Sequence, residues 1–273
     1  ERDGWSRLEA SADLRRDELA SAIGAFRREA LGTLERPIVH DALLRVARDP
    51  GSELGEQARH ELALARERFG FGGVQIVDAT GRVVWQTGEP LFAPRSATKL
   101  VERALALRED LLGDPVGSRL VLAAPLEDGR GMPDHAVLFQ GRGDCITRKL
   151  LAGWPGMGAS NRAYLVRQEG EHAVILAGGD AANVQGFAIG QRLPLASTHA
   201  TIPAMAATRI ESRAEVLDVR GQPTWAVTRS LPEIGWGLVA TESRADGMTG
   251  LGATWGLLLL LDLGLVLFVI GLV

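Results

Sequence analysis

Residues Leu251–Val273 form an apolar run of Leu, Val, Ile and Phe broken by a single carboxylate, Asp262. No other stretch limits so tightly what the chain can become. A helix of roughly 20 residues spans a hydrocarbon core of ~30 Å. A helix buried in a soluble core would carry more polar residues and would rarely run as long. An acid at mid-span costs about 2.5–3.5 kcal/mol, and each surrounding Leu, Ile, Val or Phe returns about 0.3–0.6. The segment is therefore expected to insert, with Trp255 as an interfacial anchor and Arg244 and Asp246 on the aqueous side. Residues 1–250 then lie outside the cytoplasm. Cytoplasmic flanks usually carry a Lys/Arg cluster, and none comes after Val273, so further protein is expected beyond it. The chain opens on Glu1 rather than Met, which reads as a trimmed or processed start.

An ionised carboxylate at that depth is too costly to stand alone, so Asp262 is expected to be neutral or paired. Intramembrane acids face helix–helix contacts. Leu258, Val266 and Val269 share the face of Asp262 and would pack in the same seam.

The remainder excludes several function classes. At 273 residues the chain is one large domain or two modest ones. Its net charge is -4, and it has no basic block interleaved with aromatics, so no nucleic-acid partner is expected. One cysteine, Cys145, excludes an internal disulfide framework and a cysteine-based zinc site. His40, His60, His135, His172 and His199 are scattered, without an i, i+4 pair, so no metal is expected, and no cofactor either. No G-x-S-x-G, P-loop or dinucleotide fingerprint is present. "RGD" at Arg142–Asp144 stands without support for adhesion. "GGD" at Gly178–Asp180 lacks the flanking acids of a cyclase signature. Nothing in this region argues for catalysis.

Before the terminal run the hydrophobic period changes along the chain. Trp5, Leu8, Ala12, Leu19, Ile23, Phe26, Ala30 and Leu34 recur at steps of three, four or seven, which predicts a long helix over 5–48 with Pro37 as a kink or break. That stripe either packs on its own domain or pairs with a second copy, although Arg15 and Thr33 interrupt the seam. A second helix is expected over 53–69. "VQIVDATGRVVWQTG" (74–88) then reads as a hairpin around Asp78-Ala79-Thr80-Gly81. A helix over 96–112 and strands over 119–128 and 135–141 come next. After a connecting helix (144–154) come a second hairpin (162–179), a mixed stretch (180–211) and closing strands over 212–221, 222–231 and 236–244. The expected class is α+β, with two antiparallel-sheet modules bounded near 142–158.

The residues best suited to hold a small molecule lie in the first module: Trp85, Arg95, Arg119, Asp134, His135 and Phe139. Arginine clamps carboxylates by paired hydrogen bonds, and aromatics supply apolar walls.

The stretch "VLDVRGQPTWAVTRSLPEIGWGLVATESRADG" (216–247) and the hairpin "VDATGRVVWQTGEP" (77–90) make the chain resemble the double Cache sensor domains of bacterial transmembrane receptors. The likeness covers nearly all of it. It implies a long N-terminal helix (1–48), a membrane-distal PAS-like Cache module (49–145), a membrane-proximal one (146–248) and a transmembrane helix (251–273) in the bacterial inner membrane. A homodimer is expected, in which a shift of Trp236–Arg244 moves the 251–273 helix, with Trp236, Trp255 and Asp262 as the membrane and signal-relay residues. A small-molecule ligand would sit in the distal module. Amino-acid-binding members carry an Arg-x-Trp stretch with a nearby tyrosine; here 87–118 lacks that Trp, and the one tyrosine, Tyr164, lies in the second module. The first expectation is a sensor histidine kinase, whose enzymatic part would lie beyond Val273. The alternatives are a chemoreceptor, a cyclic-di-GMP enzyme, or a membrane-anchored envelope protein whose modules only bind a partner.

Overall fold

The computed structural model describes residues 2–89, 94–116, 119–127, 133–141, 162–178, 183–184, 187–196, 201–217 and 222–245. The apolar run with Trp255 and Asp262, and the expected 144–154 helix, lie outside these residues. Among the described residues no helix is long and apolar enough to cross a membrane.

The first helix, α1 (Arg2–Leu34), ends just before Pro37, and a separate helix, α2 (Pro37–Arg48), begins there. The expected 5–48 helix is thus two helices. Pro37 occupies the first turn of α2, where its missing N–H costs nothing, and Arg36 before it is extended. On α1, Leu8, Ala12, Leu19, Ile23, Phe26, Ala30 and Leu34 are all buried within the chain itself. The stripe therefore packs on its own protein, and pairing with a second copy would have to use other residues.

The described residues form two compact units. One takes the described residues within 17–150 together with Pro232–Ile234; the other takes those within 1–16, 151–231 and 235–273. Within the first, α3 (Glu56–Phe69) leads into β1 (Phe71–Asp78) and β2 (Val83–Gly88). Then come α4 (Pro94–Leu107), β3 (Leu111–Val116), β4 (Arg119–Pro125) and β5 (His135–Gly141). The antiparallel sheet has the order β2-β1-β5-β4-β3. The β1–β2 turn is held by Asp78, whose Oδ1 accepts hydrogen bonds from the Thr80 N–H at 2.9 Å, the Thr80 hydroxyl at 2.6 Å and the Arg82 N–H at 3.0 Å. Gly81 takes the left-handed φ of 81° that closes it.

Helix α4 covers one face of this sheet. Ala97, Val101, Ala104 and Leu105 pack there on Val77, Val121, Ala123, Ala136 and Leu138. The opposite face carries the aromatic core, where Phe71 meets Phe26 edge-on at 5.6 Å and Phe139 at 5.4 Å.

The second unit holds a six-stranded antiparallel sheet. Its strands are β6 (Arg162–Glu169), β7 (His172–Gly178), β10 (Arg192–Pro194), β11 (Ser212–Leu217), β12 (Pro223–Leu231) and β13 (Trp236–Ser243). A two-residue pair, β8 (Asn183–Val184) and β9 (Phe187–Ala188), stands apart. The order β10-β7-β6-β13-β12-β11 puts β13 in the middle. A short helix, α5 (Thr201–Ala207), buries Ile202, Ala206 and Ala207 against Tyr164, Val166, Ile175 and Val239 on one face. On the other face Leu8 and Ala12 of α1 pack on Trp225, Val227 and Ala240, and Trp5 stacks on Trp225 at 5.2 Å.

Candidate functional site

Strand parity sorts the expected ligand residues onto opposite sides of the first sheet. Trp85 is in register with Ile76, and Phe139 with Val74, so both share the face opposite α4. Phe139 is fully buried among aromatics. Arg119 shares its strand face with Val121, which packs against α4; its guanidinium Nη1 lies 3.5 Å from Glu89 Oε2. Arg95 lies in the first turn of α4, and its side chain falls outside the described ones.

His135 opens β5 beside the turn, paired in register with Asp78. Its Nδ1 is 2.6 Å from Asp134 Oδ1. From His135 to Gln140 the strand advances about 16 Å at ~3.3 Å per residue, and Arg119 belongs to the Gln140 end. The structure therefore brings Asp134 and His135 together, and Arg119 with Glu89, at opposite ends of the sheet.

Three glutamines on the α4 face carry no motif that marks them in the sequence. Gln75 faces Gln86 across the β1–β2 ladder, and Gln75 Nε2 donates to Gln86 Oε1 at 3.1 Å. Gln140 is in register with Gly73, two residues along β1 from Gln75, and with Val121 on β4. Gln75 is 3% and Gln140 1% exposed. Gln75 Oε1 and both amide atoms of Gln140 are buried without a hydrogen-bond partner. Glu89 covers this end at Gly73. The backbone oxygen of Glu89 would sit 2.4 Å from a Cβ on Gly73, and the Glu89 N–H bonds to the Gly72 carbonyl at 2.8 Å. The α4 side of the first sheet is thus apolar at one end and carboxamide-lined at the other, with the Arg119–Glu89 pair beside the polar end.

In the second unit Trp236 is fully buried at the start of β13, in register with Leu231 and Arg167. Tyr164 is buried under α5, and burial pushes its phenol well above the usual range, so it stays neutral.

Solved structures share this architecture. The extracellular ligand binding receptor from Desulfohalobium retbaense aligns at TM-score 0.56 and 14% identity, over 87% of this chain and 40% of its own. The extracellular domain of a protein classed as a histidine kinase aligns at TM-score 0.60 and 11% identity, over 93% of this chain and 99% of that one. The ligand-binding domain of the Pseudomonas fluorescens chemoreceptor CtaA, in complex with L-leucine, aligns at TM-score 0.54 and 15% identity, over 91% and 98%. This chain spans less than half of the first and nearly all of the other two. No family model and no curated protein matches the sequence. The fold is the double Cache fold of extracellular sensor domains.

Proposed function

We propose that this chain is the extracytoplasmic ligand-sensing region of a bacterial transmembrane receptor, with a sensor histidine kinase as its whole. In this reading residues 49–145 are the membrane-distal sensing module and 146–248 the membrane-proximal one, and 251–273 cross the inner membrane. The observation that carries it is the near-complete alignment to the extracellular domain of a kinase-class protein, at 99% of that chain. The place of β13 supports the relay. It is flanked by β6 and β12, and only residues 244–250 separate its end from the apolar run. Displacement of a central strand passes to the segment attached at its end, and a rigid helix can carry a small shift into a bistable partner. A chemoreceptor is the second reading, favoured by the comparable alignment to the leucine-bound domain. Protease added to intact spheroplasts tests the placement. Digestion of residues 1–250 is expected, and full protection would sink the proposal.

A further inference from the structure

We infer that the carboxamide-lined end of the first sheet, built on Gln75 and Gln140 with Gln86 behind them, is a recognition site for an uncharged small molecule bearing hydroxyl or primary amide groups. The inference rests on the sensor reading and adds to it the residues and the chemistry of the ligand.

Buried polar groups in folded proteins are nearly always hydrogen-bonded, because an unmet donor or acceptor keeps its desolvation penalty. Gln140 breaks that rule at both ends of its amide while being 1% exposed. Exchanging its oxygen and nitrogen changes nothing, since neither has a partner. Gln75 breaks the rule at its oxygen, its nitrogen being spent on Gln86. Parity and register put these groups on one face of the sheet as diagonal neighbours on adjacent strands, Gln75 facing Leu138 and Gln140 facing Gly73 across β1 and β5. Two acceptors and one donor thus converge at a place where structural economy alone would put leucine or valine, as it does at Leu138 and Val121 beside them.

The unmet atoms define what they would bind. A carboxylate offers only acceptors and would set its charge against two amide oxygens. An ammonium offers only donors and would leave the Gln140 N–H groups unmet. A primary amide, with two N–H donors and a carbonyl acceptor, or a pair of neighbouring hydroxyls, both donates and accepts often enough to meet all of these atoms. Arg119, on the strand face of Val121, lies within reach of Glu89 at 3.5 Å, so that pair adds little net charge. The apolar surface of Val121 and Leu138 beside the amides suits a carbon skeleton.

The test uses the full chain in detergent micelles, with unfolding followed by tryptophan fluorescence. The neutral probes are myo-inositol, glucose and nicotinamide; the charged ones are succinate, L-leucine and putrescine. At least one neutral probe is expected to raise Tm, and its Kd should weaken about tenfold or more in Gln140→Leu. Gln75→Met is a second variant should Gln140→Leu fail to fold, and the same loss is expected there. A neutral-probe shift that survives both substitutions puts the site elsewhere and overturns the inference, while leaving the sensor reading intact. A response to charged probes alone overturns the ligand class and again leaves sensing intact. No response to any neutral probe overturns the inference outright, with the amides then satisfied by buried water; the spheroplast experiment judges the sensor reading separately.

Discussion

Arg229 on β12 grips Asp13 on α1 with two hydrogen bonds, Nε to Oδ1 at 2.6 Å and Nη2 to Oδ2 at 3.2 Å. The same fork appears with its polarity exchanged in the other unit, where Arg27 on α1 holds Asp110, just before β3, at 2.6 and 3.1 Å. Each unit thus fastens its own part of α1 by a bidentate pair, which fixes orientation as well as distance. The Arg229 hydrogen bond, with its charge, holds the Asp13 carboxyl below the usual range and raises the guanidinium in turn.

Asp13→Asn should cost about 1 kcal/mol, below the ~1.5–3 of a buried charge-assisted bond, because the Asp13 side chain is 42% exposed. The sign of the pH effect comes from the lowered carboxyl. Its stabilisation is complete above the unfolded value of about 3.9 and is lost as pH falls through the lower folded value. Asp78 acts in the same direction: burial alone would raise its carboxyl, and the Thr80 and Arg82 hydrogen bonds together outweigh that. Thermal midpoints should stay level down to about pH 5 and then fall, less steeply in Asp13→Asn. A midpoint insensitive to acid would contradict the pairing.

Gly237 on β13 lies directly against the backbone of α5. A Cβ there would lie 2.1 Å from the Ala206 carbonyl oxygen, a backbone atom that cannot swing aside. Gly237→Ala should therefore destabilise by about 2–3 kcal/mol. Gly32 on α1 meets nothing within 4 Å, so Gly32→Ala should stabilise by about 0.5–1 kcal/mol. Denaturant midpoints of the two variants moving in the same direction would refute this account of the packing.

Much of the fold is legible in the sequence because its periods are strong. The α1 stripe from Leu8 to Leu34 and the alternation around Asp78–Gly81 need only spacing and turn chemistry. The element that misleads is β3. "ALALREDLL" continues the helical pattern, which predicts a helix reaching 112. It ends at Leu107 because Arg108 turns left-handed at φ 56°, and β3 tolerates Pro115 because it is an edge strand. Helix α5 is hidden by its seven residues and by Pro203, which fits only within a first turn. The glutamines escape notice for a different reason. In "GGVQIVD" and "AVLFQG" a polar residue at alternating positions reads as solvent-facing, and only tertiary cover shows that Gln75 and Gln140 are buried. A pair of uncharged polar residues in otherwise apolar neighbouring strands is the one signal the sequence offers.

Asp262 lies outside the described residues, and its prediction rests on the sequence. A neutral acid in a helix–helix seam can donate and accept across it, worth about 0.6–2 kcal/mol, enough to bias a poised receptor several-fold. Asp262→Asn should behave nearly as wild type in the intact receptor, and Asp262→Leu should shift both signal output and cross-linking through cysteines placed at 258 and 266. If Leu leaves both unchanged, Asp262 is a passenger.

In the proposed sensor reading, ligand binding within residues 1–250 alters the activity of a signalling domain reached through the terminal run. Residues 1–273, joined at Val273 to the kinase core of a well-understood receptor with a transcriptional reporter, measure this directly. A probe that raises Tm of the chain is expected to change reporter output in living cells, and Gln140→Leu is expected to weaken that response together with binding. Binding that leaves the reporter unmoved in the unsubstituted fusion would contradict the claim.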